Sequence, residues 1–379
     1  MLTSEIDEFA KERVSQVTRV GKFVDVRSFD QLTAVELERW RELRQSTDGY
    51  IPPFFSPVFS EAVHQSRGDV SVAVIHDADQ ITGFLPFHSY RGVALPAGRF
   101  FNDAHNVIRH PNTKIDWQWL LREIDCKAFD FHAMAGLSKS ELGAFGYRTI
   151  QSFHANIGDD SHAFLSKLGK AHKTVGRQGQ KTRKMGREIG PVSFEFDCRD
   201  EKILHQTLAW KREQYRRTHI LDLFTPEWTR DMVDHLFHRK SGADEARGVL
   251  SVLRAGENIV ACHFGILENQ FLHYWFPTYD PQYRIYSPGT GLFVEMIRDA
   301  TDNGVNCIDM GYGEQPYKTR QTDATGAVAF GTISRSSIHQ AYRRAESMAI
   351  SAIKKMPMKE SLKKVWRKMQ PNAGISKLR

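Results

Sequence analysis

In the second half of the chain, β-branched and aromatic positions form three short runs, 248–254, 258–267 and 270–278, separated by turns of small and acidic residues. That pattern predicts a three-stranded meander. Ahead of it, Ile203, Leu204, Leu208 and Trp210 recur at helical spacing after Asp200. A second helix is expected at Thr225-Pro226, with threonine as N-cap and proline at the first helical position. Behind the meander, the loop YDPQYRIYSPG leads into a helix over about 289–303, closed by Gly304. A buried strand at 305–310, a glycine-rich loop at 311–316 and a last strand near 327–334 complete the series. This is an α/β order with a mixed sheet.

The same pattern occurs earlier in the chain. Val74–Phe84 aligns with Val252–Cys262 at an offset of 178, each a β-branched run, a short turn and a second run. The apolar-periodic stretch Trp117–Ile124 falls near that of Leu292–Ala300, and Phe129-Asp130-Phe131 matches Ile308-Asp309-Met310 at an offset of 179. Agreement of the offsets across elements in the same order predicts a duplicated domain. The expected division is 1–155, 156–337 and a tail, 338–379.

Composition narrows the class. A chain of 379 residues, 41% hydrophobic and 11% aromatic, can build real cores and exceeds one ordinary domain. No window has the run of apolar residues that a membrane-spanning helix needs. The acidic start, MLTSEIDEFAKERVSQ, does not read as a secretory signal. Cys126, Cys198, Cys262 and Cys307 each stand alone, so neither a disulfide framework nor a structural zinc is expected, and a reducing cytoplasm is. The net charge of +7 is local: residues 338–379 hold eleven Lys/Arg against two acids, or +9, which leaves −2 for residues 1–337. A second basic cluster runs from Lys167 to Arg187.

Three places can carry chemistry. In Tyr286-Ser287-Pro288-Gly289-Thr290-Gly291, Ser287 suits an N-cap and the glycines let a ligand approach free helix amides that attract phosphate, with Arg284 nearby. An ordinary capped helix start would read the same way. In Asp309-Met310-Gly311-Tyr312-Gly313-Glu314-Gln315-Pro316-Tyr317-Lys318, a strand end opens into a glycine-rich loop, where ligands bind in open α/β sheets. There Lys318 can neutralise an oxyanion and Tyr317 can donate a proton; the bland alternative has Asp309 capping the loop and Lys318 in water. In the aromatic run His273–Asp280, His273 is the member able to act as a base, unless it is a satisfied core histidine.

The stretches FLHYWFPTYDPQYRIYSPGTGLFVEMI and NCIDMGYGEQPYKTR resemble the bacterial GNAT-like acyltransferases associated with polysaccharide (cellulose-type) biosynthesis, relatives of the Fem peptidyltransferases. The resemblance spans about 160–335 and is architectural over 25–155. It implies tandem GNAT-like domains with mixed central sheets, of class α/β (α+β), and acyl transfer to an amine or hydroxyl; a non-catalytic GNAT-like scaffold module is the alternative, against which the YSPG and YK motifs speak. The donor it implies is acetyl- or another acyl-coenzyme A, as co-substrate rather than tightly bound cofactor, or an aminoacyl-tRNA. By resemblance, Tyr317 and Lys318 face the reacting carbonyl, and Ser287, Gly289 and Gly291 hold the donor's pyrophosphate; Arg284 and Thr290 are expected beside them at the donor, and Tyr312 and Gly313 are expected to contact substrate. Water, Asp309 or His273 would take the nucleophile's proton, and no metal is expected. The first copy lacks the YSPG and YK motifs and is expected to shape the acceptor pocket, with Asp103 in the loop Phe100–Asn106 as its contact. The acceptor is a small molecule or glycan.

Two basic segments remain. Gly169, Gly176, Gly179, Gly186 and Gly190 lie on one face if 161–189 is a single helix, and a closely packed neighbour explains them best. The tail segment MKESLKKVWRKM, 358–369, reads as a basic amphipathic helix suited to an anionic membrane surface at the inner face of the membrane, to its own domain, or to tRNA.

Overall fold

A computed structural model describes residues 21–136, 146–240 and 245–345. The amphipathic tail segment 358–369 therefore lies outside the described residues. Among the described residues, thirteen strands form one mixed sheet. They are β1 (Lys22–Ser28), β2 (Ser71–Asp77), β3 (Gln80–Tyr90), β4 (Val93–Pro96), β5 (Ile108–Arg109), β6 (Ala128–Met134) and β7 (Gly146–Asn156). After them come β8 (Val192–Glu195), β9 (Arg247–Ala255), β10 (Asn258–Glu268), β11 (Phe271–Tyr279), β12 (Cys307–Tyr312) and β13 (Ala324–Ser334). The order across the sheet is β1-β2-β3-β4-β6-β13-β7-β12-β11-β10-β9-β8, with β5 beside β3. The meander read from the sequence is β9–β11: β9 is longer by one residue at each end, β10 by one at its end, and β11 is displaced by one residue.

The internal repeat holds at the level of register. In the first half, β4 and β6 run parallel with Val93 opposite Ala128; in the second, β11 and β12 run parallel with Phe271 opposite Cys307. These pairs are related by the sequence offsets of 178 and 179. The closing strands are exchanged. β7 belongs to the first half by sequence but pairs with β12, while β13 pairs with β6, so Cys307 faces Asn156 and Ala128 faces Ser334. β7 and β13 also pair antiparallel with each other, with Ile150 opposite Val328, positions that are themselves 178 apart. A pseudo-twofold axis thus passes through that pair and relates the two halves.

The halves share a core. Helices Pro57–Arg67 and Glu227–His238 pack together over the sheet. Beneath them the rings of Phe54, Phe59, Phe101, Phe224, Trp228 and Trp275 interlock, with Phe101 and Trp275 edge-to-face at 5.7 Å. Burying this many aromatic faces at one seam fixes the position of one half against the other.

Three local expectations change. The Thr225-Pro226 helix starts one residue later: Pro226 is the N-cap, and the Thr225 hydroxyl donates back to the Asp222 carbonyl at 2.9 Å. The single helix over 161–189 is three: Ser161–Ala171, Lys173–Gly176 and Gln178–Glu188. His172, with extended backbone, breaks the first turn away, and the chain folds back so that Gly176 lies against Gly169. A Cβ on Gly176 would stand 2.6 Å from the Gly169 carbonyl oxygen, so the glycines serve close helix contact, the neighbour being the chain itself. The helix expected over 289–303 ends at Arg298, and a separate 3₁₀ turn at Thr301–Asn303 leads to Gly304 in the left-handed region.

Candidate active site at the splay of two strands

The parallel pairing of β11 and β12 lasts three residues, ending at His273 opposite Asp309. β11 runs on to Tyr279 and remains bonded to β10, whereas β12 bends away at Gly311 and rejoins β7 only at Tyr312. The strands therefore part like a V. Gly311 makes the bend: its φ is +68°, and a Cβ there would meet the Asp103 carboxylate at 2.8 Å, so a side chain is excluded on two counts.

Into this gap opens a pocket of about 320 Å³, lined by Lys211, Gln214, Tyr274, Thr278, Tyr279, Arg284, Ser287, Gly289, Thr290, Tyr317 and Gln321 among others. Helix Pro288–Arg298 points its N-terminus at it, with proline at the first position as the sequence suggests. Ser287 occupies the N-cap position but does not cap with its side chain: its φ is +52°, and its Oγ accepts a 2.7 Å hydrogen bond from Lys181. That bond brings the basic helix Gln178–Glu188 to the rim, and Gln178 donates to the Tyr286 carbonyl at 3.1 Å.

Of the residues expected to hold the donor, Arg284, Ser287, Gly289 and Thr290 line this pocket together, and so does Tyr317. Gly291 does not. It faces inward, against Gln178 and Leu253, where it gives the helix room. Lys318 is also placed elsewhere: it is 6% exposed, and its Nζ donates to the Tyr312 carbonyl at 2.7 Å. Burial lowers its pKa, against the pull of Asp103 and Asp309. Tyr312 packs its ring edge-on against Phe330, and the Gly313 amide donates to the Gln151 carbonyl, so neither lines the pocket.

His273, Asp309 and Asp103 meet behind the splay. His273 Nδ1 lies 2.7 Å from Asp309 Oδ2, and its Nε2 lies 3.3 Å from Asp103 Oδ2, which comes from the first half. His154, on β7, approaches the other Asp309 oxygen at 3.3 Å, and the Gly311 amide donates to that oxygen at 2.8 Å. Burial alone would lower the His273 pKa, but Asp309 and then Asp103 raise it to about 9. Burial opposes ionisation of Asp309 too, yet the charge and hydrogen bond of His273 hold it below the ordinary value. Its raised pKa favours an imidazolium between two carboxylates at neutral pH, a form with no lone pair to offer, so the geometry speaks for a structural role of His273 beside the expected one as a base. Asp309, fully engaged by His273 and Gly311, anchors the bend. Phe54 closes the cluster edge-on over His273 at 4.6 Å.

Lys211 escaped the sequence reading. It sits on helix Glu201–Arg217, 8% exposed, with Nζ donating to the Pro277 carbonyl at 3.0 Å. Burial, with the charge of Lys318 nearby, lowers its pKa to about 8. The signal was a lysine in step with Leu204 and Leu208 on an apolar helix face. Tyr317, two-fifths exposed, has a hydroxyl pushed up to about 12 by desolvation and by the charge of Asp103.

The described residues include no group of three or more side chains able to hold a metal and no helix long and apolar enough to cross a membrane.

Residues 172–319, which contain the splay and all of the pocket lining except Gln321, match a family model described as an acetyltransferase (GNAT) domain. No curated protein matches the chain. Among solved structures, FemX superposes with a TM-score of 0.54 at 10% identity, covering 84% of this chain and 98% of that one. A tandem GNAT protein from the clavulanic acid biosynthesis pathway gives a TM-score of 0.49 at 10% identity, covering 83% and 99%. A C-terminal DUF2156 domain from Agrobacterium fabrum, assigned to a lysylphosphatidylglycerol synthetase, gives 0.49 at 12%, covering 84% and 97%. At such identities the likeness is one of fold. The fold is mixed α/β and GNAT-like.

Proposed function

From that GNAT-type segment as premise, we propose that the chain is an acyltransferase moving an acyl group, acetyl in the simplest case, from a coenzyme A thioester to an amine or hydroxyl. The observation that carries this reading is the splay: β11 loses its β12 partner after His273, beside a helix N-terminus and a pocket of about 320 Å³. An extended, amide-bearing donor would lie along the unpartnered side of β11 and gain main-chain hydrogen bonds there. Its pyrophosphate would meet the amides at Gly289 and Thr290, with Arg284 and Lys181 adding charge. The acyl carbonyl would then lie toward Tyr317. Asp103 brings the first half to the far side of the splay, which supports an acceptor site built by both halves, 1–155 and 156–337. The acceptor in this reading is a small molecule or glycan-type compound of cell-envelope or exopolysaccharide synthesis, handled in the cytoplasm.

A Fem-type aminoacyl-tRNA donor is the second reading. The basic helix Gln178–Glu188 at the rim favours it, since Lys181 bonds Ser287 at the pocket mouth where a polyanion would approach. Thermal unfolding with each donor separates the two. Saturation to ~100 times Kd adds about 2.7 kcal/mol of stability. A rise with acetyl-coenzyme A together with thiol release supports the first reading; a rise with aminoacyl-tRNA alone replaces it with the second.

A further inference from the structure

We propose that Lys211 is a catalytic residue that protonates the departing thiolate in the pocket at the splay. The proposal rests on the acyl-thioester reading above and assigns a step within it.

Geometry comes first. Lys211 is carried by a long helix packed on β11, and its ammonium is held at a single carbonyl, that of Pro277. An ammonium has three hydrogens, so two are free of that bond. No carboxylate among the described residues lies within ion-pair distance of it, which is unusual for a lysine this buried. The ring of Tyr215 stands 5.4 Å from Nζ and contributes to holding the cation. The same pocket wall holds Tyr317, Thr278 and Gly289. A buried cation without an acid partner, facing a pocket built around a strand splay, awaits an anion that the pocket itself does not supply.

Chemistry then selects among the acids present. A proton donor works best when its acidity is matched to the group it serves. A thiol has a pKa of about 8.5. Lys211, lowered to about 8, is close to that value, whereas Tyr317 at about 12 gives up its proton far less readily. Lys318 is directed at the Tyr312 carbonyl and does not line the pocket. The assignment of leaving-group protonation therefore moves from Tyr317 to Lys211, and Tyr317 becomes a wall that orients the acyl group.

The step balances. The acceptor's nitrogen or oxygen forms a bond to the acyl carbon, the carbon–sulfur bond breaks with its electron pair on sulfur, and Lys211 Nζ passes one proton to that sulfur. The resulting neutral amine regains a proton from water, which has taken the one released by the acceptor.

Two measurements test this. In turnover, Lys211→Met and Lys211→Arg are compared with wild type using an alkyl thioester and an aryl thioester whose thiol is a stronger acid. Both variants should lose about 100-fold or more in kcat with the alkyl donor and much less with the aryl donor, because a good leaving group needs no acid. The fall of wild-type rate above pH 8 should vanish in Lys211→Met. Equal losses with both donors, or an unchanged rate, overturn the proposal. In binding, coenzyme A and desulfo-coenzyme A are titrated calorimetrically at pH 7–9. Wild type should prefer the thiol-bearing compound, and Lys211→Met should show no preference. Binding of both compounds without any dependence on Lys211 overturns this proposal alone, while no binding of either overturns the donor reading and this step with it.

Discussion

The imidazolium between Asp309 and Asp103 makes a quantitative demand on stability. His273 is 1% exposed, and its pKa rises from 6.5 in the unfolded chain to about 9 in the folded one. Its contribution is fully present below pH 6.5 and is lost as pH climbs toward 9, because over that range the folded state binds the extra proton. Each pH unit is worth about 1.4 kcal/mol. Lys211 acts in the opposite sense: its folded pKa is lowered to about 8, so above pH 8 the folded state sheds a proton the unfolded state keeps, and stability rises. Between pH 6.5 and 8 His105, His132 and His263, kept neutral by burial, still titrate in the unfolded chain and act in the opposite sense. The His273 contribution is therefore read as the urea-unfolding difference between wild type and a His273 variant, which should shrink by about 2 kcal/mol over that window. His238 also has a raised pKa beside Glu201, but it is nearly half exposed and solvent screens it. In His273→Gln stability at pH 6.5 should fall by ~3–5 kcal/mol because two carboxylates lose their shared cation. A difference between wild type and His273→Gln that stays constant across the window would refute the charge state of His273.

Gly311→Ala should cost about 1–3 kcal/mol by thermal denaturation, since it combines a positive φ with a Cβ pressed on Asp103, and it should also weaken acceptor binding. Arg44 and Glu268 form a buried pair at 2.5 Å between the halves; removing either partner should cost ~3–5 kcal/mol, and replacing both by apolar residues should recover much of it. Lys318→Ala should destabilise the fold by about 1–3 kcal/mol by freeing the Tyr312 carbonyl, so lost activity in that variant has to be read beside its unfolding curve. Ser287→Ala should leave the fold intact and loosen donor binding several-fold, seen as a higher Kd for acetyl-coenzyme A.

Continuous β-branched and aromatic runs with turn residues between them were enough to place β9, β10 and β11, because strands buried on both faces read as such runs. The repeat was legible for the same reason, and its offsets reappear in the pairing register of β4 with β6 and β11 with β12. The exchange of β7 and β13 was not legible. Both partners of each strand are equally apolar, and nothing in a strand's own sequence names its neighbour. The break at His172 was hidden because a fold-back needs only two small residues that meet, and Gly169 and Gly176 also fit one helix face. At the site, the YSPG loop was visible as a helix start. The placement of Lys318 on a carbonyl, and of Lys211 in the pocket, depended on which way long flexible side chains turn once packed.

The exchanged strands also set a timetable for the newborn chain. β6 cannot gain its outer neighbour until β13 exists, and Ala128 waits for Ser334. At ~5–20 residues per second, that is roughly 10–40 s during which the first half stands with an open sheet edge. β7 is made early and must likewise wait for β12, far along the chain. Two such edges, each complementary to a strand still unmade, would pair equally well with the same strands of a neighbouring ribosome's product. Slow or crowded synthesis should therefore yield reciprocal dimers, with native sheets shared between two chains.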